Sequence, residues 1–302
     1  MLILETIIHD VVWGGEKIGP HIGVPGARIG HLYSLVDQKG VSSTILNGAL
    51  KGTSFSNWFS ASKKKLGLAR FSEFPFVVAI VDARENLSLQ VHPDDEQARA
   101  LEGADFGKNE SFYFLESPPL GTIASCPVDT IEAVRDILEH GSAQDLVEYS
   151  PVNKGDYLYI QAGTLHALCA GSLAYEIEEN VPYTYRVYDW GRLGDDGLPR
   201  PLQKEKALQC IQPQLRALAR PMKAMETERL YAMRLVEGGQ VAAAQAVEHL
   251  ECWTALDGPH EIDGVPVCLG TTVVLEAGER MPLQSGTWMV ATLNKEICHD
   301  QN

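Results

Sequence analysis

The segment Leu87-Ser88-Leu89-Gln90-Val91-His92 alternates apolar and polar side chains until it meets Pro93. This pattern constrains the fold most. A period of two fits an extended strand, with Leu89 and Val91 on one face and Gln90 and His92 on the other. One face can then pack while the other carries chemistry. Glu110 lies further along, and His166 stands just beyond Gly163-Thr164. Together Gln90, His92, Glu110 and His166 offer an amide oxygen, two imidazoles and a carboxylate. These are donors suited to a first-row divalent metal with room left for a substrate. Spacing alone also admits a blander reading, with His92 starting a turn before Pro93 and Glu110 an ordinary solvated charge.

The rest of the chain is largely short apolar runs punctuated by Gly, Pro and Asp, the pattern of a mainly β protein. Phe76 to Val81 (FVVAIV) is expected as a central strand. Further strands are expected at Phe112–Leu115, Tyr157–Ile160, Thr164–Leu168 and Leu173–Glu178. In the last of these, Glu176 and Glu178 share a face. Helices are expected at three places. Asp129 with Glu132 reads as a capping box before an Ile131, Val134, Ile137, Leu138 stripe that Gly141 ends. The others cover Asp95 to Glu102 and the region from Gln203 to Ile211.

After the weakly patterned Gln212 to Arg220, short strands resume near Tyr231–Leu235, Val265–Cys268, Thr271–Leu275 and Met289–Thr292. Two domains follow from this reading: a metal-binding one over 1–215 with helical insertions, and a smaller β domain over 216–302 without metal. The histidines of the second part, His249, His260 and His299, are not spaced to share a ligand face. The pattern is consistent with closed barrels or with an open sandwich.

Composition narrows the function classes. A chain of 302 residues with a formal net charge of -15 and a pI near 5.0 lacks the clustered Lys and Arg of a nucleic-acid or anionic-membrane surface. Lys63-Lys64-Lys65 is read as a solvated loop. No apolar stretch is long enough to span a bilayer, and Met1 to Asp10 does not read as a secretion signal. The six cysteines are scattered and form no CxxC, which suits core thiols in a reduced, cytoplasmic protein. Cys169, three residues after His166, is expected to pack rather than react.

Several long motifs then occur in order: Leu87 to Asp95 (LSLQVHPDD), Gly107-Lys108-Asn109-Glu110, Ala162 to Leu168 (AGTLHAL) and Thr184 to Asp189 (TYRVYD). The opening Val12-Trp13-Gly14-Gly15-Glu16-Lys17 and the Phe74-Pro75 pair accompany them. From about residue 1 to 210 these motifs resemble the short bacterial type I mannose-6-phosphate isomerases. The resemblance implies tandem cupin domains, that is, jelly-roll β-barrels with a few short helices inserted. It also implies a zinc ion and the interconversion of mannose 6-phosphate with fructose 6-phosphate. The family's ligands fall on Gln90, His92, Glu110 and His166, and its arginine near the reacting carbons falls on Arg186.

Other positions depart from the family. Ala79 stands where it usually has a lysine, Gly30-His31-Leu32-Tyr33 where it has glycine-glutamate-X-tryptophan, and Val181-Pro182 where it has serine-aspartate. Glu178 replaces a glutamine. The expected pocket is lined by Trp13, His31 and Lys108, the expected base is Glu176 or Glu178, and the expected partner is a small sugar phosphate. Monomer and homodimer stay open. So do a related metal-dependent isomerase or epimerase with another substrate, and an inactive sugar-binding protein.

Overall fold

In the computed structural model the described residues are 1–194, 196–238, 243–246, 248–283 and 285–294; Cys298 and His299 lie outside them. The chain divides into two units. One is made of Met1–His9, Glu16–Ile80 and Met222–Asn302, the other of Asp10–Gly15 and Val81–Pro221.

The first unit contains a six-stranded antiparallel sheet. Its spatial order is Leu2–Ile3, Thr272–Leu275, Glu251–Ala255, Thr287–Leu293, Tyr231–Glu237 and Glu226–Thr227. Ile3, Trp253, Val273, Leu275, Trp288 and Val290 pack into one buried cluster on it. A helix over Phe55–Ser62, which the sequence reading does not anticipate, starts where Ser54 Oγ accepts from Asn57 N at 3.2 Å. It buries Phe55, Trp58 and Phe59, and Phe55 and Phe59 meet Phe74 edge-on at 5.2 and 5.4 Å.

The second unit is built around the strand Glu110–Glu116, which lies between Asp156–Ile160 and Leu173–Glu179, antiparallel to both. The register sets Glu110 opposite Ile160 on one side and Glu178 on the other. A separate pair joins Leu89–Val91 to Tyr185–Tyr188, with Gln90 opposite Arg186. Leu89 and Val91 are fully buried in a cluster with Ile123, Leu165, Tyr185 and Val187. The alternation therefore packs one face as read.

All three expected helices form, two of them at Asp95–Glu102 and Lys204–Cys210. The first carries a complete capping box from Asp94 and Gln97. The third, Ile131–His140, is capped one residue later than read: Thr130, not Asp129, accepts the N3 amide. No helix among the described residues is long and apolar enough to cross a membrane.

The expected tandem jelly-roll barrels are not formed. The fold is mixed, mainly β, with several sheets of which none closes among the described residues. Closure requires first and last strands to pair. The six-stranded sheet instead ends in two-residue strands at Leu2–Ile3 and Glu226–Thr227. In the second unit the strand Asp156–Ile160 ends its side of the sheet on Arg220–Pro221, where the proline has no N–H to extend the ladder. The segment expected as a strand at 164–168 makes only isolated bridges, Gln90 to His166 and Ile123 to Ala167.

The buried half of the strand pair sets its stability. Leu89→Ala, at a side chain with 0% exposure, is expected to lower unfolding free energy by about 2–5 kcal/mol in urea denaturation. A loss below about 1 kcal/mol would contradict this packing.

Candidate metal centre

The alternating strand, the head of the Glu110 strand and the turn after Gly163 deliver their polar side chains to one buried point. His92 Nε2 is 3.1 Å from Glu110 Oε2, and His166 Nε2 is 3.0 Å from Glu110 Oε1. The two imidazole rings are 4.8 Å apart. His92, Glu110 and His166 are each no more than 2% exposed. Their donor atoms all lie within 4.8 Å of one another.

The other ring nitrogens decide what this cluster can hold. His92 Nδ1 is 2.9 Å from the Tyr183 carbonyl, and His166 Nδ1 is 2.9 Å from the Thr164 carbonyl. A carbonyl only accepts, so each Nδ1 carries the hydrogen and each Nε2 presents a lone pair. Burial lowers His92 to about 4, against the pull of Glu110, so near neutrality its ring is uncharged. Burial pushes the Glu110 carboxyl upward, and positive charge at the point the two imidazoles face, whether carried by the rings or by a bound cation, more than offsets this and holds it well below the usual carboxylate range. Two lone pairs thus face an ionised carboxylate, and Glu110 Oε1 finds no hydrogen bond. Such an arrangement repels itself unless a cation stands between the groups. The residues therefore fit a divalent metal ion held by His92, His166 and Glu110.

Gln90 reaches the same point. Its Nε2 is 3.4 Å from His166 Nε2, while its Oε1 accepts from Ser88 Oγ at 2.9 Å. Turning the amide over presents Oε1 to the cluster, and the Ser88 hydroxyl can then accept from Nε2 instead.

Local backbone geometry holds the donors in place. Gly163, at φ +88°, makes the turn before His166, and its N–H donates to the His92 carbonyl at 3.0 Å. A Cβ on Gly107 would lie 2.3 Å from the Pro93 oxygen, so only glycine lets the Glu110 strand start against the end of the His92 strand. Asn109 is a brace that the sequence reading quotes only as part of a motif. Its Oδ1 accepts from Ala162 N at 2.9 Å, and its N and Nδ2 donate to Glu179 Oε2 at 3.1 and 3.0 Å.

A second acidic group abuts the first, since Glu110, Glu176 and Glu178 also lie within reach of one another. Like charges on adjacent strands repel, and Lys108 relieves this. Its ammonium pairs with Glu178 and lies 3.8 Å from Glu110 Oε2. Burial disfavours the ammonium, but Glu178, Glu110 and Glu176 outweigh it and raise the lysine above its usual range. Burial, with Glu178 and Glu110 adding repulsion, raises the Glu176 carboxyl well above normal. Glu178 is raised as well, by burial against the pull of Lys108.

The remaining residues named from the sequence are more dispersed. Arg186 lies across from Gln90 on the paired strand. Trp13 is 4% exposed in an apolar cluster with Val81, Phe112 and Leu158. His31 belongs to the other unit, in a ladder of rings with His9 and Tyr33. Ala79, also there, is 1% exposed inside its strand. Cys169 is buried, which pushes its thiol up to about 12, as befits a packing residue.

Comparison with known proteins agrees with this geometry. The model of the phosphomannose isomerase type I catalytic domain matches residues 2–117. A Bacillus subtilis protein named as a probable mannose-6-phosphate isomerase, GmuF, is 34% identical over 213 residues, covering 70% of this chain and 68% of that relative. The mannose-6-phosphate isomerase ManA of the same organism is 30% identical over 213 residues, with the same coverage of both chains. The crystal structure of the mannose 6-phosphate isomerase from Bacillus subtilis superposes with a TM-score of 0.81 at 24% identity, covering 96% of this chain and 98% of that one. The fold, the buried His-Glu-His cluster and the extent of these alignments lead to one assignment: the chain belongs to the type I phosphomannose isomerase family.

Proposed function

We propose that this chain is a zinc-dependent aldose–ketose isomerase that interconverts mannose 6-phosphate and fructose 6-phosphate. The observation that carries the reading is the pair of imidazole Nε2 atoms facing the buried Glu110 carboxylate, at 3.1 Å for His92 and 3.0 Å for His166. Zinc suits two imidazole nitrogens and a carboxylate oxygen, with Gln90 as a further oxygen donor.

The difficult step is removal of a proton from the carbon beside the sugar carbonyl. A divalent ion bound here would supply Lewis acidity, polarising that carbonyl and its neighbouring hydroxyl. Other residues divide the remaining work. Glu176, whose carboxyl is raised by burial well above the usual range, would in its ionised form be a strong base, able to take a proton from one carbon and return it to the next; general acid–base transfer is worth a factor of roughly 100 to 10,000. Glu178 is the second candidate, although its ion pair with Lys108 binds it more firmly to a structural role. Arg186 offers a planar fork to oxygens that gain negative charge. Lys108, buried among three carboxylates, keeps the acidic group from repelling an anionic substrate.

One observation favours a second reading, a related isomerase or epimerase with another substrate. Ala79, where the resembling family usually has a lysine, is enclosed within its strand, so that position itself brings no charge.

The test is turnover of both sugar phosphates by zinc-loaded and metal-stripped protein. Interconversion only by the loaded form is expected; a folded, loaded chain inert toward both would move the search to other sugars. Glu110→Gln is expected to lose the bound metal and to cut turnover at least 100-fold, measured by metal analysis beside the assay. Retention of both would refute the ligand assignment.

The depressed His92 adds a pH signature in the metal-free protein. Between about pH 4 and 6.5 the unfolded chain binds a proton that the folded His92 refuses. Stability should therefore fall as pH drops through that window, by an amount of order 3 kcal/mol, and level off above it. Melting curves of wild type and His92→Gln check this, and an identical slope in both would contradict it.

A further inference from the structure

Between Arg186 and Gln203 the chain leaves the Tyr185–Tyr188 strand and returns to it. Gln203 closes the excursion on Arg186 itself: its N–H donates to the Arg186 carbonyl at 2.8 Å, and the Arg186 N–H donates to Gln203 Oε1 at 3.1 Å. Inside the excursion lies Asp189, 6% exposed. Its carboxylate accepts from Arg200 Nε at 2.6 Å and Nη2 at 2.5 Å, and from Arg192 Nη2 at 2.5 Å. Arg192 also donates through Nη1 to the Asn86 carbonyl at 2.5 Å, which ties the excursion to the approach of the alternating strand.

One buried carboxylate thus serves two guanidiniums, while the third arginine has none. Among the described residues Arg186 makes no ion pair, and its Nε is buried without a hydrogen-bond partner. Burial and the charge of Arg200 both act against its guanidinium, with only Asp189 acting for it. Glu85 approaches Arg192 to 3.8 Å, but from an exposed position. Cross-strand partners share a face, so Arg186 stands on the face of Gln90, whose amide reaches His166. A half-buried cation without a counter-ion beside a metal cluster is a place for an anionic oxygen.

We propose that Asp189 is a positioning residue for the isomerisation: by holding Arg192 and Arg200 it fixes the excursion and leaves Arg186 as the one uncompensated guanidinium beside Gln90, available to an anionic oxygen of the substrate. This rests on the isomerase reading above. The oxygen has two sources, the phosphoryl group or the sugar oxygen that gains charge during proton transfer. A phosphoryl contact is lost mainly in KM, a developing-charge contact mainly in kcat.

The experiment compares wild type, Asp189→Asn, Asp189→Glu, Arg186→Gln and the Asp189→Asn/Arg186→Gln double variant. Arg216→Gln, which removes a surface ion pair with Glu148, is the control. Metal content, melting temperature, the Kd of inorganic phosphate and the steady-state constants are measured on the full metal-loaded chain. Asp189→Asn is expected to keep its metal, weaken phosphate at least fivefold and lower kcat/KM at least tenfold. Asp189→Glu is expected to recover part of both. Because Asp189 acts through Arg186, the double variant should match Arg186→Gln alone. If Asp189→Asn does not fold, Arg200→Gln removes half of the same latch and takes its place.

Unchanged phosphate affinity together with unchanged kcat/KM in folded Asp189→Asn, or additive losses in the double variant, would each overturn the proposal; a loss in kcat with phosphate affinity unchanged would assign the oxygen to the sugar. Wild type that binds phosphate through Arg186 and Asp189 yet isomerises neither sugar phosphate would uphold the latch and reject the isomerase reading.

Discussion

Everything at the site depends on two hydrogen bonds that leave no side-chain signature in the sequence. The carbonyls of Tyr183 and Thr164 each take an imidazole Nδ1 hydrogen, which turns both Nε2 lone pairs onto the Glu110 carboxylate. Without a cation the three groups repel, and burial prevents water from relieving the repulsion. The surrounding structure keeps them facing one another nonetheless. Gly163 makes the turn behind His166, Gly107 lets the two strands approach, and Asn109 fastens the head of the Glu110 strand to Ala162 and Glu179.

Charge near this cluster is arranged against the character of the chain. The protein carries a net charge of -15, yet Lys108 is buried beside the cluster and Arg186 stands across from Gln90. Lys108 sits among Glu110, Glu176 and Glu178, and Asp189 neutralises two arginines while a third stays bare. Buried charges are poor sources of stability, because desolvation offsets much of their attraction. Their presence here fits a role in placing groups for chemistry.

What the sequence conveyed follows from which forces are local. The Leu87 to His92 alternation was legible because a half-buried strand imposes a period of two, and Leu89 and Val91 are indeed fully buried. The Asp95–Glu102 helix was legible because its capping box is written in adjacent residues. The helix Phe55–Ser62 was not, since aromatic packing on Phe74 rather than a clean apolar stripe holds it. The convergence of His92, Glu110 and His166 came from motif order; nothing local brings positions 92 and 166 together. The barrels failed because closure depends on pairing between distant edges, and individual strand patterns do not encode which edges meet. Asn109 and Asp189 were hard to see for the same reason: their partners lie on other segments.

The central claim is that two imidazoles and Glu110 grip one divalent ion. X-ray absorption at the zinc edge of the loaded full chain tests it most directly. The account predicts a shell of nitrogen and oxygen donors at about 2.0–2.1 Å with the outer-shell scattering of two imidazoles. A shell containing sulfur, or one without imidazole scattering, would place the metal elsewhere and contradict the account.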